Sequence, residues 1–226
     1  HWMDDPGWRF KGERLHVEGN YLLMVENLLD LSHLPYVHAT SLADTAIPKN
    51  EIPVRYDSDG DHVKVQRWVR DTPVPPYFRL LAGLGKEQRV DRWMNLVFSP
   101  PAMVRIDIGV AKAGTGALEG NRSQGVTTWN LNAITPETGR SSHYFWAQAQ
   151  DFSHDDPSIS DADFQLVHGA FLEDLAIIKA QQENIDLDPG AARLNIASDT
   201  GGVMARRIIE RLIQREQKAA TATAAD

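Results

Sequence analysis

A short stretch of mostly apolar sequence carries four side chains that can bind a metal ion or exchange a proton. They are Asn27, Asp30, His33 and His38. The first three are spaced three residues apart, so on a helix they share one broad face. His38 follows His33 by five residues, which on a regular helix turns it away by about 140°. A break near Pro35 is therefore needed if both imidazoles are to reach one site.

A carboxylate from the last third of the chain could complete a set of metal ligands. Val167, Phe171 and Ile178 recur at helical spacing, and Asp174 falls on the same apolar stripe. A carboxylate on a buried face is costly unless it is paired or binds a metal. Glu173 points away from the stripe, and we expect it to be solvated. Two imidazoles and one carboxylate can hold Fe(II), but zinc accepts the same ligand types, and Asp174 could instead pair with a buried arginine.

The periodicity of the apolar residues predicts the elements that must position these side chains. Helical spacing appears near the start and in the last third, and alternation with period two appears between them. This order predicts an α+β fold, with a curved antiparallel sheet and helices packed on one face. The predicted helices are Tyr21–Ser32, Asp161–Glu183 and Asp199–Gln217, and the predicted strands cover 63–69, 104–110, Val126–Ile134 and Ser142–Gln150.

Length and composition exclude several classes of protein. The 226 residues suit one domain spanning residues 1–226. A net charge of −8 argues against nucleic acid as a partner, because phosphate is repelled. The chain has no cysteine, which excludes disulfides, thiol nucleophiles and cysteine-ligated iron–sulfur clusters from it. No apolar run is long enough to span a membrane, and we expect a cytoplasmic protein.

Residues 27–38 resemble a known family. Asn27–His38 matches the Asn-x-x-Asp-x-x-His-x-x-x-x-His signature of the catalytic subunits of Rieske non-haem iron oxygenases. The resemblance is strongest to the monooxygenase branch with vanillate O-demethylase, toluenesulfonate methyl-monooxygenase and dicamba O-demethylase. Phe171–Asp174 and the segments Ile134–Thr138 and Ser142–Trp146 are also similar to that branch. The implied fold is a helix-grip, START-like domain.

The resemblance implies a role for each residue of the motif. His33, His38 and Asp174 would bind a mononuclear Fe(II). Asp30 would lie behind the first histidine and bridge toward the electron donor of a neighbouring subunit, a position that its spacing from His33 suits. Asn27 would lie near the iron and help to shape the site.

The resemblance also implies O2-dependent hydroxylation or O-demethylation of an aromatic compound. His143 would then face the substrate pocket, on the same strand face as Phe145 and Ala147. The alternative for His143 is an ordinary strand histidine that is hydrogen-bonded to the backbone.

The family's electron supply is not encoded in this chain. Its members carry an N-terminal Rieske domain with a [2Fe–2S] centre, whose cysteine ligands are missing here. The resemblance implies a flavin or ferredoxin type of reductase as electron donor, and a homotrimer as the intact assembly. Two other functions remain open: a helix-grip module that binds a small ligand without catalysis, and a zinc hydrolase that uses the same three ligands. Bound metal discriminates among them.

Overall fold

The computed structural model describes residues 3–38, 42 and 51–223. The strands are β1 (Arg9–Val17), β2 (Glu51–Ser58), β3 (Val63–Pro73), β4 (Arg89–Ser99), β5 (Met103–Lys112), β6 (Gly125–Pro136) and β7 (Ser142–Gln150). The helices are α1 (Tyr21–Leu29), α2 (Leu34–Val37), α3 (Pro76–Ala82), α4 (Pro157–Leu187) and α5 (Thr200–Thr223). None of the described helices is both long enough and apolar enough to cross a bilayer.

The strands form a single antiparallel sheet in the order β1-β7-β6-β5-β4-β3-β2. Strands β2 to β7 follow one another as a meander, and β1 pairs with β7. The two edge strands, β1 and β2, are consecutive in the chain, so the segment between them must cross from one edge of the sheet to the other. Helix α1 lies on this segment and packs against β5 and β6, and against α4 and α5. The topology therefore carries residues 27–38 across one face of the sheet.

The predicted α+β class and the order of helix, antiparallel strands and helices are confirmed. The apolar pattern did not predict β1, β2, β4 or α3. Strand β1 lies at the sheet edge and is largely exposed, so it has little apolar alternation. Strand β4 is buried on both faces over most of its length, which removes the period-two signal altogether.

One apolar core fills the space between the sheet and the helices on its inner face. Helices α1, α4 and α5 each contribute buried side chains to it, as do strands β3 to β7. A representative set of its buried members is Leu28, Val65, Leu96, Val104, Tyr144, Ile178 and Ile208. Because both α1 and α4 are packed into this core, the ends of their buried faces are held in fixed relative positions.

Helices α1 and α4, which carry Asn27 and Asp174, both begin at side-chain caps. The Asn20 side chain accepts a hydrogen bond from the Leu22 amide at 3.0 Å and caps α1. The Asp156 side chain accepts from the Ser158 amide at 3.0 Å and caps α4, with Pro157 in the first turn. Helix α4 is 31 residues long and extends past both ends of the predicted helix.

Candidate metal centre

The two histidines of the motif flank the four-residue helix α2, one on each side. Helix α1 ends at Leu29, and Asp30 takes an extended conformation with φ −96° and ψ 111°. The Asp30 carboxylate accepts a hydrogen bond from the Ser32 amide at 2.7 Å, which stabilises the turn. The predicted helix Tyr21–Ser32 therefore extends three residues past the observed end of α1, and His33 does not share a helix with Asn27. The helix is interrupted before His33, because Asp30 is the C-cap of α1. Pro35 lies in the first turn of α2.

Hydrogen bonds at the outer nitrogens orient both imidazoles. The Nδ1 of His33 donates to the Asp30 carbonyl oxygen at 2.6 Å, and the Nδ1 of His38 lies 2.9 Å from Oε2 of Glu173. A carbonyl or carboxylate oxygen accepts hydrogen bonds, so each Nδ1 carries the hydrogen and each Nε2 presents a lone pair. The two Nε2 atoms lie 3.2 Å apart and face the same point.

Asp174 meets these two nitrogens from α4. Its Oδ1 lies 3.3 Å from Nε2 of His38 and 3.5 Å from Nε2 of His33. The same oxygen accepts a hydrogen bond from the Asn27 side-chain amide at 3.0 Å. Asp174 is only 2% exposed, which confirms the burial predicted from the apolar stripe. Of the predicted site residues, the structure thus brings together His33, His38, Asp174 and Asn27, with Asp30 behind the first histidine.

The two imidazoles differ in their affinity for a proton. Burial lowers the pKa of His33, and its 3.5 Å separation from Asp174 only partly offsets this effect. Burial also acts to lower the pKa of His38, but hydrogen bonds and charges from Asp174 and Glu173 outweigh it, and the net shift is upward. The carboxylates of Asp174 and Glu173 therefore place negative charge around the buried imidazole of His38, which favours a cation at this site.

Glu173 is a member of the site that the sequence analysis missed. We expected it to be solvated, but its side chain is 28% exposed and contacts Nδ1 of His38. Successive residues of a helix point about 100° apart, so α4 places Glu173 and Asp174 on opposite nitrogens of one imidazole. A carboxylate that accepts from the outer nitrogen of a metal-binding histidine orients the ring and raises its basicity.

His143 does not reach this site. It lies on β7 opposite His16 of β1, and its Nε2 is 3.6 Å from a carboxylate oxygen of Glu137. Phe145, on the same face of the strand, is 45% exposed. The neighbouring Tyr144 is fully buried in the core beneath the helices. His143 therefore lies on the face of the sheet that points away from the helices, and the expectation that it faces the cavity is wrong.

A largely apolar cavity adjoins the three candidate ligands, between the sheet and α4. Its volume, as the described residues bound it, is about 130 Å³. An engineered apolar cavity of about 150 Å³ takes one benzene ring, so this space suits a single aromatic ring. Its polar lining was not predicted from the sequence and includes Tyr77, Arg92, Asn130 and Gln148. Apolar lining residues include Leu31, Met94, Ile106, Ile108, Val167 and Phe171.

A buried carboxylate lies behind this polar lining. Asp163 of α4 is 2% exposed and accepts a hydrogen bond from the Tyr77 hydroxyl at 2.5 Å. Burial raises its pKa from the ordinary 3.8 to about 6, although hydrogen bonds from Tyr77 and Gln148 oppose the shift. Asp163 lies on the same apolar stripe as Asp174, eleven residues earlier, and that spacing was a signal that the sequence analysis did not use.

We expect Asp163→Asn to remove a pH-dependent term from stability. Because the folded-state pKa is raised, the contribution of Asp163 is fully present below about pH 3.8 and is lost as pH rises through about 6. The free energy of unfolding of the variant minus that of the wild type should therefore rise by about 2–3 kcal/mol from pH 4 to pH 7. Urea denaturation of both proteins across this range measures the difference. A difference that stays constant with pH would contradict the burial of an ionised carboxylate here.

The three converging groups fit one metal ion. Their ligand atoms all lie within 4.8 Å of one another. An ion about 2.1 Å from each ligand atom separates those atoms by about 3.0 Å at right angles and about 3.4 Å at tetrahedral angles. The separations of 3.2 and 3.3 Å fall in this range, and the third separation, 3.5 Å between His33 and Asp174, is slightly longer. The Oδ1 of Asn27 is also buried and accepts no hydrogen bond from any described residue.

Comparisons with known proteins agree with the fold and with the motif. A family model described as the vanillate O-demethylase oxygenase C-terminal domain matches residues 17–215. The vanillate O-demethylase oxygenase subunit of a Pseudomonas species is 36% identical over 221 residues, which cover 96% of this chain and 67% of that protein. The iron-sulfur subunit of the toluene-4-sulfonate monooxygenase system of Comamonas testosteroni is 35% identical over 218 residues, with coverages of 95% and 62%.

Among solved structures, dicamba monooxygenase bound to 3,6-dichlorosalicylic acid is similar with a TM-score of 0.80 and 25% identity. The match covers 94% of this chain and 61% of that one. The chain thus spans 61–67% of the length of these three relatives. The resemblance that was inferred from the Asn27–His38 motif is confirmed at the level of the family. The chain belongs to the family of vanillate O-demethylase oxygenase C-terminal domains.

Proposed function

We propose that this chain is the mononuclear-iron catalytic domain of the oxygenase component of an aromatic monooxygenase. His33, His38 and Asp174 would hold Fe(II), and the adjoining cavity would hold the aromatic substrate. The reaction would be hydroxylation of a methyl group or O-demethylation. The observation that carries this proposal is the convergence of two imidazole nitrogens and one carboxylate oxygen at the wall of an apolar cavity.

The donor set supports iron as the metal. Two neutral imidazoles and one carboxylate are the protein ligands of non-haem Fe(II) oxygenases, and His33, His38 and Asp174 would supply that set here. Fe(II) bound there supplies the activation of O2, which amino-acid side chains cannot perform. The overall change inserts one oxygen atom of O2 into a C–H bond of the substrate. The second oxygen atom leaves as water, and the change consumes two electrons and two protons.

The residues of this chain have distinct parts in that proposal. The Asp30 carbonyl and the Glu173 carboxylate hold the two imidazoles with their Nε2 atoms toward the metal. Asn27 holds the ligand oxygen of Asp174 by its side-chain amide. The apolar wall, including Phe171, excludes water and orients the aromatic ring beside the ligands.

Electrons would come from outside this chain. We propose that a Rieske [2Fe–2S] domain in the remaining length of the intact protein supplies them, and that a reductase reduces that domain. Asp30 would bridge toward the electron donor of a neighbouring subunit in a homotrimer. Its carboxylate is partly exposed and uses one oxygen for the Ser32 amide, which leaves the other oxygen for such a contact. O2 and an aromatic compound would be the substrates.

Bound metal is the test of this proposal. The chain is purified without oxygen, loaded with Fe(II) or Zn(II), and dialysed before its metal content is measured. We expect one iron per chain in the wild type and a near-complete loss in His33→Ala, because the variant keeps only two of the three ligands. His143→Ala is the matched control, since it removes an imidazole that lies away from the cavity, and it should keep its iron.

Three outcomes would overturn the proposal. Absence of iron from the folded wild type would favour the alternative function, a module that binds a small ligand without catalysis. Retention of zinc but not iron would favour a zinc hydrolase that uses the same ligands. Equal iron loss in His33→Ala and His143→Ala would mean that the metal is bound elsewhere.

A further inference from the structure

A chain of hydrogen bonds runs from the buried carboxylate of Asp163 to the wall of the cavity. The Tyr77 hydroxyl contacts Asp163 at 2.5 Å, and the side-chain amide of Gln148 contacts the Tyr77 oxygen at 3.1 Å. The side-chain amide of Asn130 then contacts the side-chain oxygen of Gln148 at 3.0 Å. Asn130 is 4% exposed and lines the cavity together with Tyr77 and Gln148, whereas Asp163 lies outside it.

The carboxylate at one end determines the direction of every hydrogen bond in this chain. An ionised carboxylate only accepts, so the single hydroxyl hydrogen of Tyr77 must point to Asp163. The Tyr77 oxygen then accepts from the NH2 group of Gln148, which turns the oxygen of Gln148 toward Asn130. The NH2 group of Asn130 donates to that oxygen. The Oδ1 of Asn130 is consequently the end of the chain, and it can only accept.

This terminal oxygen has no donor within the described part of the chain. Oδ1 of Asn130 is buried and accepts no hydrogen bond from those residues. A buried acceptor without a donor costs about 1–3 kcal/mol. Asn130 lines the cavity, so a hydrogen-bond donor that reached this oxygen from the cavity would be bound favourably. The NH2 group of Asn130 already donates to Gln148. A rotation of the Asn130 side chain that presented this NH2 group to the cavity would therefore break that hydrogen bond.

We propose that Asn130 recognises a hydrogen-bond donor on the substrate, and that the pocket selects aromatic rings that carry a hydroxyl group. Asn130 is thus a specificity-determining residue, and Asp163 is a positioning residue that acts on it through Gln148 and Tyr77. This assignment rests on the proposed function, in which the cavity is the substrate pocket. It extends that function by naming the substituent, a hydroxyl group, that the substrate would direct toward Asn130 on the sheet.

Binding of two matched probes tests this proposal. 2-Methoxyphenol carries a hydroxyl group, and 1,2-dimethoxybenzene has a methoxy group in its place. Titration calorimetry on the metal-free chain at pH 8, where Asp163 is ionised, should give a dissociation constant five- to tenfold lower for the phenol. In Asn130→Leu the ratio should fall to about one. Val167→Ala, which alters the apolar wall, should weaken both probes and leave the ratio unchanged.

A second variant keeps the test decisive if Asn130→Leu does not fold. Asp163→Asn lies outside the cavity and replaces the carboxylate by an amide that can donate or accept. The side-chain amides of the chain are then free to reverse, and the preference for the phenol should narrow to about twofold or less. An unchanged preference in Asp163→Asn would show that the carboxylate does not orient Asn130 and would overturn its positioning role.

The readout is independent of iron and of turnover. A wild-type ratio near one, or a preference that persists in folded Asn130→Leu, would overturn the recognition role of Asn130 even if the chain binds iron. Conversely, a chain that binds no iron but prefers the phenol through Asn130 would contradict the proposed oxygenase function and leave this recognition intact.

Discussion

Asp174→Asn is expected to raise the dissociation constant for Fe(II) by at least about 100-fold, and to remove any oxygenation that depends on bound iron. The amide keeps the shape of the side chain and its contact with Asn27, so the fold should persist. What is lost is the negative charge and the strong oxygen donor that faces His33 and His38. Anaerobic equilibrium dialysis against Fe(II) measures the change.

Substitution of two further carboxylates on α4 should change the affinity for Fe(II) less than Asp174→Asn does. Glu173→Gln keeps all three ligands but weakens the acceptor at Nδ1 of His38, so the affinity for Fe(II) should fall by about 10–100-fold. Glu183→Gln removes a charge from an exposed position of the same helix and should leave the affinity unchanged. If Asp174→Asn bound iron as the wild type does, Asp174 would not be a ligand.

Gly109→Ala is expected to lower the free energy of unfolding by about 3 kcal/mol. Gly109 lies opposite Trp93 across β4 and β5, and an added Cβ would come within 2.0 Å of the indole ring. The indole cannot easily move, because its nitrogen donates to Asp107 at 2.9 Å and the guanidinium of Arg122 lies 4.3 Å from the ring centroid. Relief of the clash therefore breaks a buried hydrogen bond to a carboxylate.

Gly169→Ala is the matched control for this substitution. Gly169 lies within α4, and a Cβ there meets nothing within 4 Å apart from the helix itself. The same change should therefore stabilise the protein by about 0.5–1 kcal/mol, through helix propensity alone. Urea denaturation at fixed pH measures both variants. A Gly109→Ala protein as stable as the wild type would mean that the indole has an alternative position.

The site could be predicted from the sequence wherever a local pattern determined the geometry. Helical spacing on α4 was enough to predict that Asp174 is buried, because the side chains at 167, 171 and 178 share its face. The same rule applies to Asp163, four residues before the stripe begins, and it was not applied. Glu173 could not be found in this way, since its role depends on His38, which lies 135 residues earlier in the chain.

The strands show a different limit. Alternation states which residues share a face of a strand, but it does not state which face meets the helices. His143 was assigned to the pocket side, while the inward side of β7 carries Tyr144 and Trp146. Strand β6 offered a clearer signal. Thr128, Asn130 and Asn132 share the buried face with Ile134, and a row of polar groups there needs partners.

The position of the ligands couples metal binding to the cohesion of the chain. His33 and His38 belong to the segment that crosses the sheet, whereas Asp174 belongs to the long helix that closes the other side of the cavity. An ion shared among them would act as a cross-link that closes a loop of more than a hundred residues. Bound metal would therefore oppose separation of that segment from α4. By mass action, the stabilising free energy increases with the concentration of free metal. Loss of the ion and opening of the cavity would then be linked equilibria.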